Sequence, residues 1–436
     1  MRRLRHERRH ALPGLGRHRA AGTGARIMTS TLVVIGHGMV GHRLADRLRE
    51  LDTAHRWRVC VLGEEPEPAY DRVRLSAYLR NRSRAALSLV RPDFLADPRI
   101  TVRSASPAVS VDRRARTVHT AGGEPITYDA LVLATGSRPF VPPVPGRHLR
   151  NCFVQRTVED IDALSAAARP GRPAVVIGGG LLGLEAAQGL QLLGMRPHLV
   201  ESAPHLMPAQ LDGEAARVLQ DGAARLGLHL HCGTTVVSVD GDAGGLVRSV
   251  TLGDGSVVEA DLVVFAAGIR PRDDLPVTPA LPLAERGGYL TDAFCRTADD
   301  RIWAVGECAA VLGRCHGLVA PGYRMADSVA CGLTGHHAEP LDEMDDSTEL
   351  KLLGVHVATF GSTSGDAGTA VEVTFQEGAS RYAKVFLHRA SGALLGGILA
   401  GETGSRADLA PWVGRRPTAD LEGVLFPAPP FRPLSS

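Results

Sequence analysis

Leu32-Val-Val-Ile-Gly-His-Gly-Met-Val-Gly-His-Arg-Leu44 decides how the chain is read. The run Leu32 to Ile35 is short, apolar and rich in β-branched residues, the composition of a parallel strand buried on both faces. Gly36, Gly38 and Gly41 follow at once in the spacing G-x-G-x-x-G. In a Rossmann turn the first glycine permits the bend, the second admits a pyrophosphate against the backbone, and the third packs helix on strand. The helix after it, read over Val40 to Leu51, then aims its free amides at the phosphates. A lone glycine fingerprint is common, so its context carries the argument. A second strand, Arg58 to Leu62, leads to Glu64, where a carboxylate can accept both hydroxyls of a ribose.

The same logic returns at Ala174-Val-Val-Ile-Gly-Gly-Gly-Leu-Leu-Gly-Leu-Glu-Ala-Ala187, with Gly178, Gly180 and Gly183 in the fingerprint positions and a strand Pro197 to Val200 ending in Glu201. Two complete units of strand, glycine turn, helix, strand and acid predict two dinucleotide sites. Each unit closes on a buried strand that runs into small residues, Ala130 to Leu133 into Ala134-Thr135-Gly136 and Leu262 to Phe265 into Ala266-Ala267-Gly268. Small residues there let backbone approach a ligand. A further strand from Arg301 runs into Gly306 and Glu307, read as the head of a helix.

Between these landmarks the signals are weaker. Residues 65–81 form a turn-rich entry into a short helix, with Arg72 and Arg74 either near a phosphate or in water. Residues 100–132 alternate in three short runs and predict a small antiparallel meander. Pro139, Pro142, Pro143 and Pro145 stiffen a crossing between domains. From about His337 four strand-like runs, Val355 to Phe360, Ala370 to Phe375, Ala383 to His388 and Leu394 to Ala400, predict a small α+β domain, with a loosely held tail after Pro427. The fold class is α/β: two Rossmann-like dinucleotide-binding domains, the second inserted in the first, plus a small C-terminal α+β domain. The expected boundaries are a disordered basic leader over 1–30, the first domain over 31–147 and 284–336, the second over 148–283, and the C-terminal domain over 337–436.

With 436 residues, 44% of them hydrophobic, the chain needs more than one core. No apolar run approaches the roughly 18 residues of a membrane span, and a net charge of +2 argues against a nucleic-acid or membrane surface. The leader is the exception. Residues 1–27 carry eight arginines and one glutamate, and without that surplus the net charge falls to −5. This segment lacks the apolar core of a secretory signal, and Met28 is read as the start of the folded protein. The seven cysteines contain no C-x2-C pair, so neither a disulfide framework nor a zinc site is signalled, and a reducing, cytoplasmic location follows.

Taken together, the two fingerprints, their closing strands and the Gly-Glu turn resemble the two-dinucleotide-fold flavoprotein reductases related to glutathione reductase. The chain is similar above all to the FAD and NAD(P)H module at the N-terminus of the assimilatory nitrite reductase large subunit. That resemblance rests on Gly-Met-Val-Gly-His (38–42), Ala-Tyr-Asp-Arg-Val-x-Leu-Ser (69–76), Arg-Thr-Val-Glu-Asp (156–160) and Ala-Gly-Ile-Arg-Pro (267–271). It continues through Gly-Glu-Cys (306–308), Gly-Leu-Val-Ala-Pro-Gly-Tyr (317–323) and Leu-Lys-Leu-Leu-Gly-Val (350–355), covering residues 31–405.

The resemblance implies that Gly36, Gly38 and Gly41 lie at the FAD pyrophosphate and Glu64 at the adenosine ribose. Arg72, Val109, Ala134, Thr135, Gly136 and Arg156 complete that site. Gly306 and Glu307, the latter an Asp in many relatives, would hold the flavin ribityl chain. Gly178, Gly180, Gly183, Glu201 and Gly268 would bind NADH, with NADPH the weaker ligand. Glu185 either faces the flavin and nicotinamide rings or is an exposed first-turn acid favoured by the helix dipole.

The departures are as telling. The first helix carries no C-x4-C of the disulfide reductases, 69–80 no peroxidase cysteine, and the second unit no C-x2-C of thioredoxin reductases. Cys308 is read as a small buried hydrophobe, and His37 and His42 as helix-edge surface groups. The implied function is an NADH-dependent FAD oxidoreductase that passes electrons to a separate redox protein, iron-sulfur or sirohaem, in nitrite or nitrate assimilation. The alternatives are a ferredoxin or rubredoxin reductase and a non-catalytic flavoprotein redox sensor. The oligomeric state is left open.

Overall fold

Leu32, Val33 and Val34 are wholly excluded from solvent, which is what places their strand, Ser30–Ile35, in the middle of a sheet. In the computed structural model, which describes residues 29–342, 344, 347–352, 354–364 and 368–426, five parallel strands run in the order Ile302–Ala304, Ala130–Leu133, Ser30–Ile35, Trp57–Leu62, Ile100–Arg103. The basic leader and the tail from residue 427 lie outside the described residues. A second five-stranded parallel sheet repeats the plan around Pro173–Ile177, in the order His229–Cys232, Arg196–Glu201, Pro173–Ile177, Leu262–Phe265, Cys152–Val154. In both, the fingerprint strand is flanked on one side by the strand that leads to an acid, Glu64 or Glu201, and on the other by the strand that runs into small residues. Ligands in such sheets sit beyond the carboxyl ends of the strands at this switch point.

The alternating stretch 100–132 divides differently from the expected meander. Ile100–Arg103 joins the first parallel sheet as its edge strand. Ala108–Asp112, Thr117–Thr120 and Ile126–Thr127 form the antiparallel part, and Val277–Thr278 pairs with its edge. Val277 and Leu281 also pack in the first core, ahead of the boundary expected between residues 283 and 284. The chain crosses between the two units through an antiparallel ribbon, Ser137–Pro139 against Ile269–Pro271.

A second departure concerns Gly306 and Glu307. They open a single 3-10 turn, Gly306–Cys308, that passes straight into the strand Ala309–Val311, and the long helix starts only at Val319–Thr334. This helix packs on Met39–Leu51, where Arg43 grips Asp327 through two bonds of 2.8 and 2.9 Å. His37 and His42 are likewise not surface groups. Both are buried, and His42 stacks edge-on against Phe94 at 4.7 Å.

The C-terminal part is a five-stranded antiparallel sheet ordered Glu349–Leu352, Val355–Gly361, Leu394–Ala400, Arg381–His388, Ala370–Glu377. Val357, Tyr382, Phe386 and Ile398 share one continuous core with Leu184, Leu199 and Leu219 of the second parallel unit. Asp212 sits at the seam: it caps the helix Gly213–Arg225 through Ala215 N and accepts from Tyr382 Oη and Lys384 Nζ, each at 2.7 Å.

Close packing at this seam makes a double substitution diagnostic. A Cβ on Gly222 would lie 2.3 Å from Val355 Cγ2, and a β-branched neighbour cannot swing away. We expect Gly222→Ala to destabilise the protein by about 1–2 kcal/mol, overriding the roughly 1 kcal/mol that alanine gains over glycine within a helix. In a V355A background the same change should stabilise. Urea midpoints of the four proteins check the sign reversal; the same sign in both backgrounds would refute the contact.

Candidate functional site

Gly36 takes φ +115°, and a Cβ there would lie 2.0 Å from the Ala134 carbonyl; Gly178 repeats this at φ +116° and 2.4 Å from the Ala266 carbonyl. Each turn is therefore pressed against the small-residue end of its neighbouring strand. The third glycines serve close helix contact, since a Cβ would fall 2.0 Å from Gly36 O at Gly41 and 1.8 Å from Gly178 O at Gly183. The middle glycines differ: nothing lies within 4 Å of a Cβ on Gly38 or Gly180.

Those middle glycines are the N-caps of Met39–Leu51 and Leu181–Leu192, and neither helix has a side-chain cap or an acid in its first turn. The helices Val158–Ala167 and Gly213–Arg225 do, from Thr157 and Asp212. Leading amides left without a side-chain partner beside open space form an anion site. The residues present thus fit the diphosphate of a dinucleotide at both turns.

Both turns open on one cavity of about 1100 Å³. At one end its wall includes Gly36, Gly38, Glu64, Arg72, Ala134 and Thr135, faced by Gly136, Arg156, Gly306 and Glu307. At the other end are Gly178, Gly180, Glu185, Glu201 and Gly268. Gly41 and Gly183 lie behind, at the helix contacts. Val109 lines an adjoining cleft of about 240 Å³ that shares Gly36, Glu64, Thr135 and Arg272 with the main cavity.

Charges at the first end are paired. Glu307 forms an ion pair with Arg156 and accepts from Ser137 Oγ at 2.9 Å. Arg72 pairs with Glu65, donates to Tyr70 Oη at 2.8 Å and to Arg156 O at 2.9 Å, and lies over the Tyr70 ring. Glu64 pairs with Arg272. Glu65, Tyr70 and Arg272 belong to the site and are missed by the fingerprint reading. Tyr70 lies within the motif 69–76, and Glu65 and Arg272 adjoin Glu64 and Pro271, which was the available signal. At the second end Glu201 is held by the turn itself, accepting from Gly179 N at 2.6 Å and Ala203 N at 2.7 Å.

Three groups are tuned by burial. Glu185 falls on the second turn of its helix, half-buried in the cavity wall, and is not an exposed first-turn acid. It has no hydrogen-bond partner among the described residues, and burial pushes its carboxyl up to about 7. His37 also lines the cavity, and burial, with a smaller contribution from His42, pushes its imidazole down to about 4. Cys308 is fully buried beneath the Leu133 carbonyl, which raises its thiol. Among the described residues no cysteine lines the cavity.

Residues 30–326 match the family Pyridine nucleotide-disulphide oxidoreductase. The chain belongs to this family. Membership carries FAD and NAD(P)H as cofactors and oxidoreduction as the activity. Within the family the chain is 44% identical over 379 residues to the nitrite reductase [NAD(P)H] large subunit of Klebsiella oxytoca, covering 87% of this chain and 39% of that one. It is 34% identical to the assimilatory nitrate reductase electron transfer subunit of Bacillus subtilis, over 85% of this chain and 48% of that one. The chain thus spans less than half the length of these relatives. Among solved structures it resembles a ferredoxin reductase from Rhodopseudomonas palustris, with a TM-score of 0.78 at 28% identity over 87% of this chain and 93% of that one.

The position of Glu185 in this pyridine nucleotide oxidoreductase yields a signed pH prediction. Its folded pKa lies above the unfolded value of 4.5, so ionising it costs the folded chain stability. The cost is absent below about pH 4.5, grows up to about pH 7 and is constant above. Glu185→Gln should match the parent at acid pH and exceed it by about 1–3 kcal/mol at pH 8, measured by urea unfolding. A pH-independent difference would contradict the assignment.

Proposed function

We propose that this chain takes a hydride from NADH onto FAD and delivers the electrons to a separate redox protein, as the electron-input component of nitrite or nitrate assimilation in a reducing, cytoplasmic compartment. One observation carries the reading: both fingerprint turns open on a single cavity, and no cysteine lines that cavity among the described residues. A thiol relay, which the family name evokes, has no groups here to carry it. When bound, the flavin accepts the hydride and releases electrons one or two at a time.

The chain's residues bind, orient and exclude water. The free amides of Met39–Leu51 and Leu181–Leu192 take the two diphosphates. Glu307, steadied by Arg156 and Ser137, keeps lone pairs for the ribityl hydroxyls. The carboxyl of Glu185, pushed up to about 7 by burial, is about half ionised near pH 7 in the wall that the two rings would share. Likeness to the nitrate reductase electron transfer subunit and to the ferredoxin reductase supports an external protein acceptor. A ferredoxin-type reductase differs from this reading only in that acceptor.

NADH is the preferred donor in this reading. Glu201 is pinned by Gly179 N and Ala203 N, so it cannot swing aside, and no lysine or arginine occurs between Ser202 and Gln210. A 2′-phosphate some 4–5 Å from that carboxylate costs roughly 3–4 kcal/mol per charge pair at an effective dielectric near 20. We therefore expect kcat/KM for NADH to exceed that for NADPH by about a hundredfold, and Glu201→Ala to narrow the gap. Equal efficiencies in the parent would count against it.

The acceptor argument is tested by products. Iron-sulfur ligation needs closely spaced thiolates, and the closest cysteines here, Cys308 and Cys315, are seven positions apart. With NADH the isolated chain should reduce ferricyanide or a dye yet form no ammonia from nitrite until a sirohaem-bearing partner is added. Ammonia from the chain alone would overturn the proposal.

A further inference from the structure

Three arginine–glutamate pairs lie along the FAD end of the cavity, and they differ in exposure. The side chains of Arg72–Glu65 and Arg156–Glu307 are 19–26% exposed, those of Arg272 and Glu64 40% and 54%. Water screens the more exposed pair and competes for both of its ends, so it is the easiest to open. Its placement is also distinct. Arg272 follows the strand Ile269–Pro271, which returns from the nicotinamide unit, and its backbone is fastened to the FAD turn twice. Arg272 N donates to Gly136 O at 2.9 Å, and Thr135 Oγ1 donates to Arg272 O at 2.6 Å. Glu64 projects from beyond the end of Trp57–Leu62. Both residues are wall to the main cavity and to the adjoining cleft, so their pair bridges the passage between the two.

The middle of FAD has to run through that passage if its adenine end enters the cleft. The diphosphate brings two negative charges to a groove in which these three arginines are already neutralised. A cation adds to what the helix amides supply, and a guanidinium grips phosphate oxygens two at a time. The carboxylate that Arg272 now holds is the one placed for a ribose. Exchanging that carboxylate for a phosphate keeps the guanidinium neutralised in both states.

We propose that Arg272 is the strap of the FAD site: it swings from Glu64 onto the cofactor's diphosphate when FAD binds and releases the Glu64 carboxylate to the adenosine ribose. The strap rests on FAD occupying the first fingerprint. It ties retention of the flavin to the segment that returns from the nicotinamide unit.

The test uses the full chain, stripped of flavin and titrated with FAD by fluorescence quenching. Arg272→Ala should weaken FAD about tenfold or more, speed its release, and flatten the fall of affinity with salt that the parent shows. Arg272→Lys should recover part of the affinity. Glu64→Gln should also weaken FAD, through loss of the ribose contact, while affinity falls with salt at least as steeply as in the parent. FAD held by R272A as tightly as by the parent, or more tightly, would overturn the strap and make Arg272 a competitor for Glu64. Equal weakening in R272A and R272K, with a lower melting temperature of the flavin-free protein, would overturn it in favour of a structural role. A parent that takes up no FAD would remove the flavoprotein reading itself, a result distinct from failure of the strap alone.

Discussion

Everything in this molecule depends on two backbone contacts, the Gly41 helix against the Gly36 carbonyl and the Gly183 helix against the Gly178 carbonyl. With no side chain intervening, each helix starts directly above its strand, and the leading amides face the cavity with no side-chain cap. Leaving a helix without its cap forgoes about 1 kcal/mol. The protein accepts that loss twice at the fingerprints while capping Val158–Ala167 and Gly213–Arg225 in the ordinary way. An anionic ligand restores what is forgone, so binding and folding stability are linked through the same amides.

The electrostatics of the cavity follow from this arrangement. The arginines at the first end are each paired with a glutamate, so the wall carries local dipoles and little net charge. At the second end Glu201 is held by backbone, while Glu185 stands apart with burial alone acting on it. The first end can therefore exchange partners and the second excludes extra negative charge. That asymmetry suits a resident cofactor beside a visiting one.

Much of this was legible in the chain because it is local. Strand, glycine turn, helix and acid fall within about thirty residues in each unit, and their periodicity survives without tertiary context. Even Leu394–Ala400 was bounded as observed. What escaped depends on distant partners. His37 and His42 look polar in sequence, yet both are buried, and Phe94 and the Leu89 carbonyl close over His42 from some fifty residues away. Ile100–Arg103 has the alternation of a half-exposed strand, which edge position in a parallel sheet produces as readily as a meander does. The Arg272–Glu64 pair joins residues 208 positions apart, and nothing near either predicts it. Gly306 and Glu307 looked like a helix start because glycine followed by an acid is common there; the strand Ala309–Val311 ends the turn by pairing with Tyr289–Thr291.

The ribbon Ser137–Pro139 and Ile269–Pro271 has a consequence for how such a protein could arise and be rebuilt. The second unit leaves and returns through two strands paired side by side, with Phe140 N bonded to Gly268 O at the root. The host's ends are thus about one strand spacing apart, roughly 5 Å. A gap that short can be spanned by a tight turn, so the host sheet does not need the inserted unit to bring its own halves together. Beyond that doorway the second unit is held on two sides, by the C-terminal sheet that shares its core and by Tyr78 and Leu79 packed with Val158 and Ile161, so a replacement unit would have to match both surfaces.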